Sequence, residues 1–393
     1  MVGASERKLR LGVAGLGRAF SVMLPTFASD PRVALVAGTD TRPEARQRFA
    51  ADFSTRSCAN IEELCADPAV EAIYVATPPQ YHAQHATLAA QHGKHLLIEK
   101  PMALTLDECN TIMDAARRSG VHIVVGHSHS FDAPVEHVRA LIESGDFGRV
   151  RMINAINYTD YLYRPRRPEE LDTAQGGGAV FNQAAHQVDI VRLVGGGLVA
   201  SVRAVTGSWD MRRPTEGAYA ALLTFKNGAF ASLTYNGYGH FDSDEFQGWV
   251  GEMGETKTPY ATPSRRHFAT PQAEIAFKNT RNYGGAEFRP PAAHTGAHQH
   301  FGTLLVSCER ADLRALPNGV MIYQDGSAQL DALPPPKAPR AEVIDELYQA
   351  VVNGKAPIHN GAWATATVEV LLAMLRSARE GSEVRLDHQV ALP

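Results

Sequence analysis

Short apolar runs alternate with stretches of helical periodicity over the first 127 residues of the chain. Each run is bounded by turn residues and is nearly continuous in apolar character, which is typical of strands buried on both faces. Strands that alternate with helices predict a parallel sheet covered by helices on both sides. The predicted strands cover residues 10–14, 33–40, 72–79, 96–101 and 121–126.

After residue 198 the pattern changes to strands that follow one another without intervening helices. Asn227-Gly228 lies between two such runs and predicts a hairpin, because both residues tolerate the positive φ of a tight turn. Residues 252–296 are polar and aperiodic, and we interpret them as a long loop that forms a lid or an oligomer contact. Two helices follow, at 341–353 and 363–379. We therefore expect a first domain over 1–127 and a second, α+β domain over 128–393.

Composition restricts the classes of function. The formal net charge is −4 at pH 7, so the chain carries no basic footprint for nucleic acid. No apolar run is long enough to span a bilayer, and the first residues lack the apolar core of a signal peptide. The four cysteines follow no metal or redox spacing, which favours a reducing cytoplasm. These features predict a cytoplasmic protein that acts on a small molecule, without a membrane or nucleic-acid partner.

The first predicted strand leads into the glycine-containing turn Gly15-Leu16-Gly17-Arg18-Ala19-Phe20. Two glycines let the backbone turn tightly and approach a pyrophosphate, which then lies at a helix N-terminus. The third glycine of this fingerprint normally eases helix–strand packing, and Phe20 stands in its place. Gly15, Gly17, Arg18, Ala19 and Phe20 are therefore predicted to bind a dinucleotide.

Asp40 closes the second predicted strand, where an acidic residue can bind the hydroxyls of the adenosine ribose. A carboxylate there would repel a 2′-phosphate, so Asp40 favours NAD over NADP as the cofactor. Arg42 lies two positions further on and weakens that preference. The alternative role for Asp40 is that of a helix cap or turn residue.

The fourth predicted strand stops at a charged pair and a proline, Glu99-Lys100-Pro101. Proline cannot continue a central strand, and ligands bind at the carboxyl ends of parallel strands. Lys100 is thus expected where a cofactor and a substrate meet, and a lysine in such a cleft can relay a proton. A surface Glu-Lys pair is the alternative.

Polar residues that follow the first domain are candidates for substrate binding. His127 and His129 alternate as on a strand and would share one face. Tyr158 leads into a basic stretch that contains Arg164, Arg166 and Arg167. Arginine binds carboxylates bidentately, so this stretch predicts an anionic substrate, with a solvated surface loop as the alternative.

The stretch Gly176-Gly177-Gly178 lets the chain pass close to a ligand and leads into a predicted helix. Asn182, His186 and Asp189 are spaced i, i+4, i+7 and share one face of that helix. A neutral His186 could accept a hydroxyl proton as hydride leaves the same carbon, and Asp189 could orient its ring. A core histidine is the alternative.

Three closely spaced histidines, His294, His298 and His300, resemble a metal cluster at first sight. The sequence offers no acidic or cysteine partner near them, and metal ions bound by proteins usually have such ligands. No metal site is predicted.

Together these segments resemble the Gfo/Idh/MocA family of oxidoreductases, over nearly the whole chain. The resemblance implies an NAD(P)-binding Rossmann domain, followed by an α+β domain whose large, mostly antiparallel sheet often mediates oligomerisation. A homodimer or homotetramer is therefore expected. It also implies that Lys100 is an active-site acid/base group. The resemblance rests on the Gly15 turn, Asp40, Ala76-Thr77-Pro78 with His82, Glu99-Lys100-Pro101, and Gly176-Gly177-Gly178 followed by His186 and Asp189. Of these, the residues expected to bind the cofactor are those of the Gly15 turn, Asp40, Ala76, Thr77, Pro78, His82, Glu99 and Lys100.

In this family an aspartate commonly occupies the position of Asn182, paired with the lysine and the histidine. Asparagine cannot take a proton, which leaves Lys100 and His186 as the expected catalytic pair. Whether Asn182 contacts the substrate is open on the sequence alone. The expected substrate-binding residues are His129, Tyr158, Arg164, Arg166, Asn182 and His186.

Within the family, residues 157–160, 164–172 and 181–187 are most similar to phthalate 4,5-cis-dihydrodiol dehydrogenases. The similarity implies an NAD-dependent oxidation of 4,5-dihydro-4,5-dihydroxyphthalate to 4,5-dihydroxyphthalate, with the arginines holding the two carboxylates. Aromatisation would pull the reaction forward. The alternatives are a sugar or inositol dehydrogenase of the same family and a non-catalytic NAD-binding regulator.

Overall fold

The computed structural model describes residues 7–260, 268–291 and 296–392. The chain forms two compact units, and each of them has its own β-sheet. The first unit comprises Met1–His127, Ala276–Ala293 and Ala338–Thr365. The second comprises Ser128–Ile275, His294–Lys337 and Ala366–Pro393.

A sheet of six parallel strands forms the centre of the first unit. Its strands are β1 (Leu9–Ala14), β2 (Val33–Thr39), β3 (Arg56–Ser57), β4 (Ala72–Val75), β5 (His95–Ile98) and β6 (Ile123–Val125). They are arranged in the order β3-β2-β1-β4-β5-β6. The chain winds to one side of β1 and then to the other, as in dinucleotide-binding folds. The parallel sheet predicted from the alternating pattern is confirmed.

Helices alternate with the strands of this sheet along the chain, and further helices occur in the second half of the chain. The ends of α5 (Leu106–Ser119) are encoded locally: Thr105 and Glu108 form a capping box, and Gly120 ends the helix at a φ of 66°. No helix within the described ranges is long and apolar enough to cross a membrane. The α-helices are α1 (Arg18–Ser29), α2 (Pro43–Phe53), α3 (Ile61–Ala66), α4 (His82–Gln91), α5 (Leu106–Ser119), α6 (Ala133–Glu143), α7 (Ala185–Gly195), α8 (Pro271–Arg281), α9 (Ala341–Asn353) and α10 (Gly361–Glu380).

Two segments from the second half of the chain belong to the first unit. The domain boundary predicted at residue 127 had assigned both of them to the second domain. In the segment 276–293, the Tyr283 ring packs edge-on against Phe20, with ring centroids 5.1 Å apart. In the segment 338–365, the Pro339 carbonyl accepts from Thr26 Oγ1 at 2.5 Å, and the His359 carbonyl accepts from Val125 N in β6 at 2.8 Å. The first unit is therefore discontinuous in sequence.

The second unit contains a nine-stranded, mostly antiparallel sheet, as the family resemblance predicted. Its order is β14-β13-β12-β11-β7-β10-β9-β8-β15, and β7 and β10 are its parallel pair. Asn227-Gly228 joins β9 and β10 in the predicted hairpin. The strands are β7 (Val150–Tyr158), β8 (Val199–Gly207), β9 (Ala218–Phe225), β10 (Phe230–Asn236), β11 (Thr303–Cys308), β12 (Asp312–Leu316), β13 (Gly319–Gln324), β14 (Ser327–Ala332) and β15 (Val384–Arg385).

Helices α6 and α7 pack on one face of this sheet. The other face carries exposed apolar side chains at Val205, Leu222 and Phe230. The homo-oligomer expected through this sheet stays a prediction.

The aperiodic stretch 252–296 is not a continuous loop, since α8 lies within it. The helix was missed because its sequence, PQAEIAFKNTR, has few apolar residues and little periodicity. Residues 261–267 and 292–295 of this stretch lie outside the described residues. A lid or oligomer contact at 252–296 stays a prediction.

Candidate active site

The turn between β1 and α1 has the geometry of a pyrophosphate site. Gly15 has a φ of 95°, and a Cβ there would come 2.6 Å from the Ala76 carbonyl oxygen, so the position requires glycine. Gly17 is the N-cap of α1 and has no side chain that could cap the helix. The backbone N–H groups of Arg18 and Ala19 lie in the first turn of α1, where an anion binds to a helix N-terminus. The residues present fit the phosphates of a dinucleotide.

Phe20, which was predicted to bind the cofactor, has its side chain in the core of the first unit, and a cofactor contact there stays a prediction. Its side chain is 0% exposed. The ring packs among Phe27, Phe49, Phe53 and Tyr283, with centroids 5.1 to 6.4 Å away. The third glycine of the fingerprint is thus replaced by an aromatic side chain that fills the space between α1, α2 and the segment 276–293.

Asp40 lies at the end of β2, beside the glycine turn. Its Oδ2 accepts from Leu16 N at 2.8 Å, and its Oδ1 accepts from the backbone N–H of Arg42 at 2.8 Å and from Arg42 Nε at 3.1 Å. The carboxylate is therefore fixed at the position where a Rossmann fold binds the adenosine ribose. The cofactor role of Asp40 stays a prediction.

His82 connects the loops that follow β4 and β5. Its Nδ1 lies 2.9 Å from the Pro101 carbonyl oxygen, and its Nε2 lies 2.8 Å from the Thr77 carbonyl oxygen. The side chain is 1% exposed, and burial lowers its pKa against the opposing effect of the two carbonyl groups. Both ring nitrogens thus face backbone carbonyl groups and hold the Ala76-Thr77-Pro78 loop, and the cofactor contact expected at His82 stays a prediction.

Glu99 and Lys100 follow β5, at the carboxyl edge of the sheet where the sequence placed them. The Glu99 carboxylate is buried and accepts a hydrogen bond from Tyr74. Burial raises the pKa of Glu99, opposed by Tyr74, Arg340 and Lys100. The side chain of Glu99 is thus part of the core, and its predicted cofactor contact stays a prediction. Lys100 is partly exposed, and its catalytic role stays a prediction.

His129 is the centre of a polar cluster in the second unit. Its Nδ1 donates to Asp132 Oδ2 at 2.6 Å, and its Nε2 lies 3.5 Å from Glu252 Oε1. Burial lowers the pKa of His129, but Asp132 and Glu252 outweigh this effect and raise it. The His186 ring lies edge-on to His129 at 4.8 Å, and Phe301 lies within 5.2 Å of both rings. The structure thus brings together the two histidines predicted for substrate binding and catalysis.

The predicted strand through His127 and His129 is wrong. Strand β6 ends at Val125, and a short 3-10 turn follows at His129–Phe131. His127 belongs to the first unit and His129 to the second, so the alternation does not place them on one sheet face.

The glycine segment before α7 approaches protein atoms closely, whereas the sequence predicted a close approach to a ligand. A Cβ at Gly178 would lie 2.1 Å from Glu216 Oε1. The Asn182 side-chain N–H2 group donates to the carbonyl oxygens of Gly176 and Gly178, both at 3.0 Å. The amide nitrogen of Asn182 thus holds this segment in place, and the predicted contact of Asn182 with substrate stays a prediction.

His186 and Asp189 follow a π-helical turn at Val180–Ala184, so the helix is not uniform across the predicted face. Such turns are frequent at functional sites. His186 lies in the first turn of α7, whereas the Asp189 carboxylate accepts from Ser130 at 2.6 Å and from Thr367 at 3.1 Å. The orienting role predicted for Asp189 toward His186 stays a prediction.

The three arginines of the basic stretch differ in their surroundings. Arg166 is 11% exposed, lies 3.7 Å over the Tyr161 ring and donates to the Tyr161 carbonyl oxygen at 2.6 Å. Arg167 pairs with Glu169 at 2.9 Å. The Arg166 guanidinium therefore has partners within the fold, and its predicted contact with substrate stays a prediction.

Arg164 is 48% exposed and faces two carboxylates at longer distances. Its Nε lies 3.3 Å from Asp160 Oδ1, and its Nη2 lies 4.0 Å from Glu252 Oε2. Tyr158 ends β7 nearby in sequence, where its N–H donates to Ser243 Oγ at 2.9 Å and its ring lies 5.9 Å from Phe241. Arg164 is thus the arginine of this stretch that is accessible to a ligand.

Two of the three histidines considered for metal binding have backbone partners. His298 Nε2 lies 2.8 Å from the Pro334 carbonyl oxygen, and His300 Nε2 lies 2.9 Å from the Val250 carbonyl oxygen. His294 lies outside the described residues. Within the described ranges, no group of three potential metal ligands is found.

Sequence reasoning missed Asp132, Glu252 and Phe301, which surround His129. Asp132 had a signal, since it follows the histidine by three residues. Glu252 and Phe301 lie more than a hundred residues away in sequence, and no local pattern marks them.

Comparisons with known proteins agree with this architecture. Residues 9–127 match a family model described as an oxidoreductase family with an NAD-binding Rossmann fold, and residues 135–250 match the GFO/IDH/MocA C-terminal domain. A 1-carboxy-3-chloro-3,4-dihydroxycyclohexa-1,5-diene dehydrogenase from Comamonas testosteroni is 46% identical, over 94% of this chain and 95% of its own.

Solved structures show the same fold over the whole chain. A Bordetella bronchiseptica RB50 protein described as a dehydrogenase is 39% identical, with a TM-score of 0.90 over 96% of this chain and 100% of its own. The WlbA dehydrogenase of Bordetella pertussis, solved with NADH and UDP-GlcNAcA, is 23% identical, with a TM-score of 0.69 over 97% of this chain and 99% of its own.

Proposed function

The chain belongs to the Gfo/Idh/MocA oxidoreductase family, and on this premise we propose that it oxidises a cyclohexadiene cis-diol that carries a carboxylate. NAD is the proposed hydride acceptor. The Comamonas relative, whose name describes a carboxylated dihydroxycyclohexadiene, supports this class of substrate.

One observation carries the proposal: the Glu252 carboxylate already lies between the side chains of His129 and Arg164, beside His186. Glu252 Oε1 is 3.5 Å from His129 Nε2, and Glu252 Oε2 is 4.0 Å from Arg164 Nη2. Both distances exceed those of good hydrogen bonds, so a substrate carboxylate can compete for the same cations. His186 lies 4.8 Å from His129, which would place a substrate bound there next to the proposed base.

The surroundings of the arginines favour one carboxylate over two. Arg166 and Arg167 have partners within the fold, and Arg164 is the exposed member of the stretch. The dicarboxylate 4,5-dihydro-4,5-dihydroxyphthalate, which the sequence predicted, would need a second cation for its second carboxylate. We therefore propose a monocarboxylated diol and keep the phthalate diol as a test substrate.

The proposed roles of the side chains follow from the chemistry of the reaction. His186 accepts the proton of the reacting hydroxyl, as a neutral imidazole can. Lys100, after β5, supplies positive charge to the oxygen as the proton leaves. His129 and Arg164 hold the carboxylate and so orient the ring. NAD, when bound, takes the hydride from the carbinol carbon. The resulting enone tautomerises to a catechol, and the gain of aromaticity drives the reaction.

Removal of the Arg164 charge tests this function. Arg164→Gln should lower kcat/KM for a carboxylated cis-diol about 10- to 100-fold, the value of a charge-assisted hydrogen bond. The same variant should leave the smaller activity on cyclohexadiene cis-diol without a carboxylate unchanged. Arg167→Gln is the matched control, because it removes a neighbouring arginine that pairs with Glu169. NADH absorbance measures the rates.

Other outcomes of the same assay contradict the proposal. Turnover of myo-inositol or aldoses without turnover of any carboxylated diol would favour a sugar or inositol dehydrogenase. NADH binding without turnover of any substrate would favour a regulator. If the phthalate diol is the best substrate and the Arg164 and Arg167 variants lose kcat/KM equally, the result would support the dicarboxylate prediction instead.

A further inference from the structure

We infer that Arg42 makes the chain selective for NAD over NADP. Residues 276–291, here called the Tyr283 segment, hold the Arg42 guanidinium away from the position of a 2′-phosphate. The inference rests on the proposed use of a nicotinamide dinucleotide. By sequence alone Arg42 weakened the preference for NAD, since arginine beside the ribose site is the residue that accommodates a 2′-phosphate. The contacts of Arg42 reverse that interpretation.

The donors of the Arg42 guanidinium are used within the first unit. Its Nη1 donates to the Tyr283 carbonyl oxygen at 3.0 Å, and its Nη2 donates to the Leu16 carbonyl oxygen at 2.9 Å. Its Nε donates to Asp40 Oδ1 at 3.1 Å. The side chain is 16% exposed. Arg42 therefore joins the glycine turn, the end of β2 and a segment from far along the chain.

The Tyr283 segment is itself firmly held. The Tyr283 ring is buried against Phe20, and its hydroxyl donates to Asp52 Oδ2 at 2.8 Å. Gly284 follows with a φ of 83°, and a Cβ there would lie 2.6 Å from Ala45 Cα. The Tyr283 carbonyl is thus fixed by a ring on one side and by a close approach to α2 on the other.

This arrangement has two consequences for a nucleotide. Arg42 would have to leave two carbonyl acceptors to bind a 2′-phosphate, and its departure would leave the Asp40 carboxylate facing that phosphate without its ion-pair partner. With Arg42 in place, Asp40 stays fixed beside Leu16 N, and its oxygens have further lone pairs for the hydroxyls of an NAD ribose. A segment that lies 241 residues further along the chain thus acts on cofactor choice through Arg42.

The experiment displaces the Tyr283 segment and measures nucleotide affinity directly. Full-length Gly284→Ala should bind NADPH more tightly relative to NADH, by about tenfold, because Arg42 loses an acceptor and can turn to the 2′-phosphate. The double variant Gly284→Ala/Arg42→Ala should lose this gain. Gly326→Ala is the matched control, since its φ of 72° imposes the same backbone strain in a hairpin of the second unit. Fluorescence titrations with NADH and NADPH give the dissociation constants.

A milder variant covers the case in which Gly284→Ala does not fold. Tyr283→Phe keeps the ring and removes the hydroxyl bond to Asp52, and should shift the NADPH/NADH ratio in the same direction by a few-fold. A wild-type protein that prefers NADPH, or an unchanged ratio in folded variants of both positions, overturns the inference. The titrations need no diol, so a protein that shows this selectivity without oxidising any carboxylated diol refutes the proposed substrate alone.

Discussion

Asn182 distinguishes two interpretations of this active site, and Asn182→Asp tests them. The family resemblance treats asparagine here as a departure from a catalytic aspartate. The structure instead uses the amide nitrogen as a double donor to the carbonyl oxygens of Gly176 and Gly178. Aspartate has nearly the same shape, so the substitution changes the hydrogen-bonding chemistry and the charge without creating a cavity.

The expected cost follows from the two contacts, each of 3.0 Å. An ionised aspartate loses both hydrogen bonds and faces the two carbonyl oxygens with a negative charge. Two lost bonds and the unsatisfied acceptors together should lower the free energy of unfolding by about 2–5 kcal/mol near neutral pH. Asn182→Ala removes the donors without adding charge and should cost less, about 1–3 kcal/mol.

The cost in Asn182→Asp should depend on pH. Carbonyl oxygens disfavour the ionised form, so the folded-state pKa of the new carboxyl lies above its unfolded value of about 3.9. A carboxyl group whose pKa is higher in the folded state than in the unfolded state lowers the free energy of unfolding when it is ionised. This loss of stability disappears as pH falls below the folded-state pKa. Urea unfolding across pH should therefore show the two variants converging toward about pH 4. A stable Asn182→Asp protein with undiminished kcat would refute the structural role and support the family triad.

Two further predictions concern the core of the first unit and the charge of His129. Phe20→Ala should lower the free energy of unfolding by about 3–5 kcal/mol, because it leaves a cavity in an aromatic cluster. Phe230 is exposed, so Phe230→Ala should change the free energy of unfolding by no more than about 0.5 kcal/mol in the same urea titration. Equal effects of the two substitutions would contradict the buried position of Phe20. Asp132 and Glu252 raise the pKa of His129 above its ordinary value of 6.5. The stability and the carboxylate binding that the imidazolium provides are therefore present below pH 6.5 and are lost as pH rises through the folded-state pKa. Asp132→Asn should move the rise of KM for a carboxylated diol to lower pH, and an unchanged pH profile would show that His129 does not bind the substrate as a cation.

The sequence predicted those parts of the fold whose signals are local. The capping box of Thr105 and Glu108 defines where α5 begins, and Asn227-Gly228 defines a hairpin, because each is a contact between residues a few positions apart. The parallel sheet followed from the alternation of apolar runs and helices. The glycine turn and the strand end at Lys100 were located for the same reason.

The discontinuous first unit could not be predicted this way. Tyr283 belongs to it through a ring contact with Phe20 and a hydroxyl bond to Asp52, which are more than two hundred residues away in sequence. The sequence around Tyr283 is polar and aperiodic, so it carries no sign of its partners. The same limit applies to Glu252, whose place between His129 and Arg164 depends on the packing of the second unit.

The basic stretch shows why composition alone is weak evidence for a substrate with two carboxylates. Residues 158–172 contain three arginines, which suggested two carboxylates, but they also contain four acidic residues, so the stretch has one negative charge in excess. Arg166 and Arg167 pair with acidic groups or carbonyls of this same stretch, and an arginine so engaged gains little by binding a ligand. Only the pairing pattern separates such residues from Arg164, whose partners are more distant and whose side chain is half exposed. One accessible arginine near His129, whose pKa is raised, supports the proposal of a diol with a single carboxylate.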